Sequence, residues 1–408
     1  MNDCGISKLD LKRRNRMQIL RVIREQGPIS RVDISSILQI TRAAVTIITN
    51  EMIDQHILEE IGEEPIEPGM EVRKGRRKIL LDINETYKFA IGVYIDEKEI
   101  SIGLTTLNSA ALDKKTIAHE GNVSVSEVLD LLNSTISVML QNSCLSAENM
   151  LGIGIGIMPS MYQTLGCESS QEGKPVFPEL QQKLEERTKL PIYIDSAITQ
   201  FAMAGIHYKE SHAKSVNQAF LYWDDKHYCA IPMQGSTPLA GVLNPGDFVE
   251  FLSVDPNGKS LEGYPPGSVR AELSPEALSE LVAPLFHEDK TPTLCSLLDN
   301  DLSRLTLSSL LTAAETDTAL MPIAESVLRK FCMMLYSLHC LYFTEYISLY
   351  RFGFTEQNLD MIRKAAAEFA GEKFAESILL SPIGDRYHFL CGCTYIIQLG
   401  FYQRGGLA

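Results

Sequence analysis

Residues 15–53 read NRMQILRVIREQGPISRVDISSILQITRAAVTIITNEMI, and this stretch predicts three short helices in succession. Apolar side chains recur at helical spacing over residues 17–23, and the Gly-Pro pair at 27–28 ends the first helix. A second helix is predicted from Arg31 to about Leu38, and a third from Arg42 to about Gln55. Three short helices with a tight turn between the second and the third are typical of a helix-turn-helix.

The third helix is predicted to present a surface to a partner. Thr41 can cap its N-terminus, and its apolar side faces inward. In a DNA complex the first residues of such a helix lie at base edges in the major groove. The small side chain of Ala43 lets the backbone approach, while Arg42 can reach guanine or phosphate and Thr46 can reach either.

Two strands around a loop are predicted directly after the third helix. Residues 57–61 and 79–83 form the strands, and the basic run RKGRRK at 73–78 lies on the return. Basic side chains at that place can hold phosphate or enter the minor groove, as in the wing of a winged helix. A helical protein–protein module with a basic linker is the alternative interpretation. The predicted DNA contacts are Arg31, Thr41, Arg42, Ala43, Thr46, Arg76 and Arg77.

Charge is unevenly distributed along the chain. The 408 residues contain 37 Lys and Arg against 52 Asp and Glu, a net charge of −15, which excludes a uniformly basic nucleic-acid coat. Residues 1–50, in contrast, hold nine basic and four acidic residues. This segregation favours an N-terminal module that meets a polyanion, on an acidic body that stays off it. A solvated helix face would explain the same charges.

The length and composition predict a cytoplasmic protein of two or three domains. No apolar run reaches the roughly 20 residues of a membrane helix, and the N-terminal residues lack the apolar core of a secretory signal. The nine scattered cysteines are predicted to be free thiols. His339 and Cys340 lie in a strongly apolar predicted helix, and we expect both in the core.

The body of the chain predicts an α/β fold. Strands at 87–94, 99–107 and 115–119 precede a helix that ends near residue 142, and strands then alternate with helices up to residue 208. Antiparallel strands followed by this alternation indicate a mixed sheet with helical cover, and residues 218–223 open the same layout again. The glycine alternation at 152–156 is interpreted as a tightly packed strand rather than a phosphate loop.

Taken together, these segments resemble the ROK family (repressors, open reading frames and kinases), and in particular its DNA-binding regulators. Besides the stretch at 15–53, the resemblance rests on GRRKILLDIN, YKFAIGVYIDEKEISIGLTTLN, LGIGIGIMPS and PIYIDSAITQFAMAG. It implies a winged helix-turn-helix followed by two actin-like ATPase (ribonuclease H-like) lobes. The implied domains are 1–83, 84–208 and 209–408, with the C-terminal helix packing back on the first lobe.

The resemblance also implies that the kinase chemistry is lost. Tyr94 stands where the family's first phosphate loop begins with aspartate, and carboxylates replace its glycines. The second phosphate loop corresponds to residues 224–230, which start with two aspartates. The catalytic base corresponds to Ala197, which has no proton-accepting group.

The family's zinc motif is lost as well. Its histidine corresponds to Glu250, and its cysteines correspond to Leu261, Gly263 and Ser268, none of which is a thiolate ligand. We therefore expect no metal, no cofactor and no enzymatic activity.

The resemblance implies a transcriptional repressor linked to carbohydrate metabolism. Its expected partner is double-stranded operator DNA, read by a homodimer or homotetramer, with no membrane association. A sugar-like effector is a further possibility, and its expected contacts are Ser160, Ser196, Asp247, Glu250 and Arg270. A catalytically inactive interaction or ligand-sensing protein is the alternative, and a sugar kinase is a weaker one.

Overall fold

The computed structural model describes residues 8–64, 77–121, 123–170, 175–207, 217–224, 226–235, 237–239, 249–381, 383 and 387–407. The chain forms two compact units. The first unit consists of Met1–Ala213 and Arg386–Ala408, and the second unit of Lys214–Asp385. The domain boundaries expected after residues 83 and 208 stay predictions.

Three helices and a small sheet open the first unit, and together we call them the head. The helices are α1 (Lys8–Gln26), α2 (Arg31–Leu38) and α3 (Arg42–Asp54). The strands are β1 (Ile29–Ser30), β2 (Leu58–Glu63) and β3 (Ile79–Ile83), with β3 central and antiparallel to both neighbours. The apolar stripes predicted from helical spacing form the core of the head, which includes Ile19, Leu20, Ile23, Ile34, Val45, Ile48 and Met52.

A five-stranded mixed sheet follows in the first unit. Its order is β10-β7-β4-β5-β6, in which β4, β5 and β6 are antiparallel while β7 pairs in parallel with both β4 and β10. The elements, including a separate short pair β8–β9, are β4 (Phe89–Ile95), β5 (Glu99–Thr105), β6 (Ala111–Ala118), α4 (Val125–Asn142), β7 (Met150–Ile157), β8 (Glu168–Ser169), β9 (Pro175–Val176), α5 (Pro178–Thr188), β10 (Ile192–Ser196) and α6 (Ala197–His207).

The second unit repeats this sheet and adds more helices. Its order is β13-β12-β11-β14-β15, again with three antiparallel strands and then two parallel ones, so the predicted second copy of the layout is confirmed. The elements are β11 (Asn217–Trp223), β12 (Tyr228–Gln234), β13 (Thr237–Pro238), α7 (Val269–Leu273), α8 (Pro275–Val282), α9 (Pro292–Leu297), α10 (Leu307–Ala314), α11 (Met321–Tyr342), β14 (Tyr346–Tyr350), α12 (Glu356–Ala370), α13 (Glu372–Glu376) and β15 (Ile378–Leu380).

The last helix, α14 (Leu390–Ile396), lies on the sheet of the first unit. Glycines permit this close approach, because a Cβ atom on Gly154 would lie 2.1 Å from the carbonyl oxygen of Gly392. The interpretation of residues 152–156 as a tightly packed strand is therefore confirmed. A π-helical turn (Ile397–Phe401) continues from α14.

One apolar core joins the head to this C-terminal segment. Buried residues of α1, α3 and β3 belong to the same cluster as Ile396, Ile397, Phe401 and Tyr402. The head is therefore not an isolated module on a linker, because its core is completed by residues from the far end of the chain.

Two surface features complete the description. Within the described residues, no helix is both long and apolar enough to cross a bilayer. Cys340 is exposed, so its expected place in the core is wrong, whereas His339 is half-buried. The reason is that α11 is amphipathic near its end, where Tyr336 and Leu341 are exposed as well.

Candidate nucleic-acid interface

The start of α2 is fixed by a cap that also reaches the sheet of the head. The Ser30 Oγ accepts a hydrogen bond from the Asp33 amide at 3.3 Å and donates one to the Asp33 carboxylate at 2.6 Å. The same carboxylate accepts from the Lys78 Nζ at 2.9 Å, which links α2 to the residue before β3. Burial alone would raise the pKa of Asp33, but the Ser30 and Lys78 bonds outweigh it and lower that pKa.

The turn between α2 and α3 is closed by its own side chains. Gln39 has a left-handed backbone, with φ 53° and ψ 36°, and so ends α2. The Ser35 hydroxyl donates to the Ile40 carbonyl at 2.7 Å. Thr41 then caps α3, and its side-chain oxygen accepts the Ala44 amide at 3.2 Å. The predicted cap at Thr41 is thereby confirmed.

One face of α3 is exposed, and it contains three residues predicted to contact DNA. Arg42, Ala43 and Thr46 are exposed together with Ile47 and Asn50. The Thr46 hydroxyl donates to the Arg42 carbonyl at 2.8 Å, so its hydrogen is used within the helix. Ile47 is 67% exposed and is the large apolar side chain on this face.

Arg31 connects α2, α3 and β2. Its guanidinium donates to the Thr49 hydroxyl at 3.1 Å and to the Asn50 side-chain oxygen at 3.0 Å. It also pairs with the Glu60 carboxylate at 2.8 Å. These contacts tie α3 to α2 and β2, and they engage the Asn50 side-chain oxygen, so the donor that Asn50 can offer to a partner is its amide NH2 group.

The strands β2 and β3 occupy the positions expected for the wing. Ile61 is 48% exposed at a bulge between Glu60 and Gly62. Arg77 is half-exposed and pairs with the Glu63 carboxylate at 3.2 Å. Arg76, the other predicted contact in this region, lies outside the described residues. The DNA contacts of Arg76 and Arg77 stay predictions.

Arg16 fastens α1 to α3 and to the end of the chain. Its side chain is 1% exposed. It donates to the Gly405 carbonyl at 2.7 Å and to the Gln55 side-chain oxygen at 2.8 Å, and it lies 3.4 Å from the Glu51 carboxylate. Burial lowers the pKa of Arg16, whereas the charge of Glu51 acts in the opposite direction. The guanidinium thus sets the position of the head against the C-terminal segment.

A turn of the same construction joins β4 to β5 in the first unit and β11 to β12 in the second. In the first unit, the buried Tyr94 donates from its hydroxyl to the Asp96 carboxylate at 2.9 Å. The other Asp96 oxygen accepts the amides of Lys98 at 2.8 Å and Glu99 at 2.7 Å. The backbone N–H groups of this turn are therefore already bound to an internal anion.

In the second unit, Tyr222 donates to Asp224 at 2.7 Å, and Asp224 accepts the amides of Lys226 and His227 at 2.8 Å each. Burial would raise the pKa of Asp224, but the bonds from His227, Lys226 and Tyr222 lower it to about 2. These two turns stand where the family resemblance places its phosphate loops. Because their amides are occupied by carboxylates, the residues present do not fit a nucleotide phosphate.

The expected effector contacts fall in both units. In the first unit, the Ser160 hydroxyl donates to the Glu97 carboxylate at 2.7 Å, and Ser196 ends β10 beside the buried Ala197. In the second unit, Glu250 accepts from the Tyr264 hydroxyl at 3.0 Å. Arg270 lies over the Tyr228 ring at 5.1 Å, and Asp247 lies outside the described residues. The effector role of these five residues stays a prediction.

The segment that resembles the zinc motif is held by an ion pair and hydrogen bonds. Glu272 is 2% exposed, accepts the Lys259 amide at 2.6 Å and pairs with Lys330. Lys330 also lies 3.4 Å from the Asp255 carboxylate. The positions of the family's cysteines hold Leu261, Gly263 and Ser268, so these residues do not fit zinc. Among the described residues, no group of three or more His, Cys, Asp or Glu side chains is arranged to hold a metal ion.

Comparisons with known proteins point to the regulators. A 188-residue segment is 26% identical to a putative xylose repressor of Caldicellulosiruptor sp. (strain Rt8B.4), over 46% of this chain and 45% of that protein. A 200-residue segment is 27% identical to the DNA-binding transcriptional repressor Mlc of Escherichia coli (strain K12), over 48% of this chain and 47% of Mlc. The match thus spans about half the length of these curated relatives. No protein-family profile matches the chain.

A solved structure shows the fold over 97% of the chain. The crystal structure of a ROK family transcriptional regulator, a homologue of E. coli Mlc, superimposes with a TM-score of 0.70 at 18% identity, over 97% of this chain and 98% of that one. The predicted resemblance to ROK regulators is confirmed. A ROK hexokinase from Thermus thermophilus superimposes with a TM-score of 0.56 at 15% identity, over 76% of this chain and 98% of the kinase. The ROK fold, with its actin-like lobes, is therefore present.

The structure identifies three residues that the sequence did not predict to be important. Ile47 was absent from the predicted contacts, although its place beside Thr46 and four residues after Ala43 sets it on the outward face. Arg16 and Glu272 were missed because their partners are distant in sequence, at Gly405 and Lys330. No local pattern would have found those pairs.

Proposed function

We propose that this chain is a DNA-binding transcriptional repressor, with the head as a winged helix-turn-helix that reads double-stranded DNA. The exposed face of α3 carries this proposal most strongly. Its other side is buried, its N-terminus is capped at Thr41, and the turn that leads into it is closed by side chains. Among the residues that the structure describes, Arg42 has no ion-pair partner, so its charge is available to a phosphate or a guanine.

The relatives that match over about half of their length support the same function. One carries the name putative xylose repressor and another is named a DNA-binding transcriptional repressor. From these names we propose that this chain also acts in carbohydrate metabolism and binds a sugar-like effector. Two heads in a homodimer, or more in a homotetramer, would read a pseudo-palindromic operator. An effector would act by binding two arrangements of the heads with different affinities.

We propose further that the chain has no kinase activity. Tyr94 and Asp224 stand where the family's two phosphate loops begin, and the carboxylates of Asp96 and Asp224 bind the turn amides that a phosphate would need. Ala197 supplies no base to deprotonate a sugar hydroxyl. Incubation of the purified chain with ATP and a panel of hexoses and pentoses is expected to give no sugar phosphate. Sugar-dependent formation of ADP would contradict this proposal.

DNA binding is tested with the full-length chain and a pool of random duplexes. Successive rounds of selection should enrich a sequence, and fluorescence anisotropy should show that its affinity falls steeply with salt. Arg42→Ala is expected to weaken binding by about 1–3 kcal/mol. Arg187→Ala is the matched control, because Arg187 is a half-exposed arginine on α5 that pairs with Asp130, and it should bind as the parent does.

The outcomes separate DNA binding from the alternatives. If no duplex is enriched, or if Arg42→Ala and Arg187→Ala bind equally well, the head does not read DNA through α3. An inactive interaction protein would then be the better description of the chain. A salt-independent affinity would contradict binding through phosphate contacts as well.

A further inference from the structure

Ile47 is the one large apolar side chain on the exposed face of α3. Its side chain is 67% exposed, and it lies with Ala43 one turn before it and Asn50 nearly one turn after it. Replacing Ile47 by a polar residue would cost the core nothing, since the buried side of α3 is formed by Val45, Ile48, Thr49 and Met52. Its exposure is therefore not explained by the packing of the head.

The polar groups around Ile47 leave the centre of this face apolar. The Thr46 hydroxyl hydrogen is bonded to the Arg42 carbonyl, and the Asn50 side-chain oxygen accepts from Arg31. The remaining side-chain hydrogen-bond donors lie at the two ends, in the Arg42 guanidinium and in the Asn50 NH2 group. A partner that fits this face must offer a small apolar group flanked by hydrogen-bond acceptors.

The DNA major groove offers such a pattern at thymine. The C5 methyl group of thymine is the one apolar group that base pairs expose there, and acceptors on neighbouring bases and phosphates surround it. A protein partner fits less well, because an isoleucine and an alanine provide far less than the roughly 800 Å² that each partner buries in a stable interface. The unpaired charge of Arg42 beside the apolar spot also favours a polyanion.

We propose that Ile47 is a specificity-determining residue that contacts the C5 methyl group of a thymine in each operator half-site. The small side chain of Ala43 leaves room for the base to approach. The proposal rests on the DNA-binding function given above and adds to it the chemistry that α3 reads. Duplexes selected by this chain should therefore hold a fixed thymine opposite Ile47.

The test removes the methyl group alone. Each thymine of the selected duplex is replaced in turn by deoxyuridine, and affinity for the full-length chain is measured at one salt concentration. At one thymine position per half-site, the replacement should lower the affinity of the duplex about fourfold, the ratio that corresponds to one buried methyl group. Ile47→Ala should bind the parent duplex more weakly and show no difference between thymine and deoxyuridine at that position.

Ile37→Ala is the matched control, because Ile37 is another exposed isoleucine of the head, 43% exposed and located on α2. This variant should keep the full preference for thymine. Equal affinity for thymine and deoxyuridine at every position would overturn the inference while leaving DNA binding intact, as would an undiminished preference in Ile47→Ala. Failure to enrich any duplex would instead refute the proposed function, and this inference with it.

Discussion

Replacing Arg16 by alanine should loosen the head from the C-terminal segment. The guanidinium is 1% exposed and makes two short hydrogen bonds, at 2.7 Å to the Gly405 carbonyl and at 2.8 Å to Gln55. The Glu51 carboxylate at 3.4 Å is a weaker partner, and Lys12 would still neutralise it at 2.7 Å. The main loss is therefore the buried Gly405 carbonyl, which keeps no charged donor.

A hydrogen bond to a charged group contributes about 1.5–3 kcal/mol. Alanine also removes the cost of burying the guanidinium, which offsets part of the loss. We expect a net decrease of about 3 kcal/mol in the free energy of opening of α1 and residues 402–407. Native-state hydrogen exchange of these amides is the appropriate assay, because a chain with two compact units need not unfold in a single two-state transition.

Arg21→Ala provides the control on the same helix. Arg21 is half-exposed and pairs with Glu25 one turn away, so its loss should cost about 0.3–0.5 kcal/mol. Equal effects of the two substitutions on exchange in α1 and residues 402–407 would refute the reasoning that Arg16 fastens the head. A large effect confined to the second unit would refute it as well.

Three further predictions concern the body. Because the pKa of Asp224 is lowered from 3.8 to about 2, its contribution to the second unit is complete above pH 3.8 and is lost as the pH falls through 2. Asp224→Asn should therefore lessen, by about 2 kcal/mol, the stability that this unit loses on acidification. The measurement is unfolding against pH, followed by the fluorescence of Trp223. Gly154→Ala would set a Cβ atom 2.1 Å from the Gly392 carbonyl oxygen, and thermal unfolding should show a loss of about 1–3 kcal/mol or a chain that does not fold. Gly400→Ala is the control, because its Cβ atom would meet nothing nearer than 3.4 Å and should be tolerated. Lys330→Met should leave the buried Glu272 carboxylate without its cation, and urea unfolding should show a loss of about 3–5 kcal/mol. Lys183→Met is the control, because it breaks an exposed pair on α5 and should cost less than about 1 kcal/mol.

Local patterns predicted the elements of the fold well. The Gly-Pro pair predicted the end of α1, and Thr41 predicted the start of α3, because these signals act over three or four residues. The alternation of glycine and isoleucine in β7 also predicted close packing correctly, although only the structure identifies Gly392 as the neighbour.

Contacts between distant residues were beyond the sequence. Nothing near Arg16 indicates that Gly405 accepts its hydrogen bond, and nothing near Glu272 indicates that Lys330 is its partner. Cys340 was misplaced because the apolar residues around it hide the amphipathic end of α11. The predicted DNA contacts at Arg31 and Thr46 took no account of the hydrogen bonds that these side chains make inside the head.

Photo-crosslinking tests DNA reading by α3 most directly. The full-length chain is bound to a selected duplex in which one thymine carries iodine in place of its methyl group, irradiated and digested. We predict that the crosslinked peptides contain residues 42–54. Crosslinks confined to the second unit, or no more crosslinking than to a scrambled duplex, would contradict DNA recognition by the head.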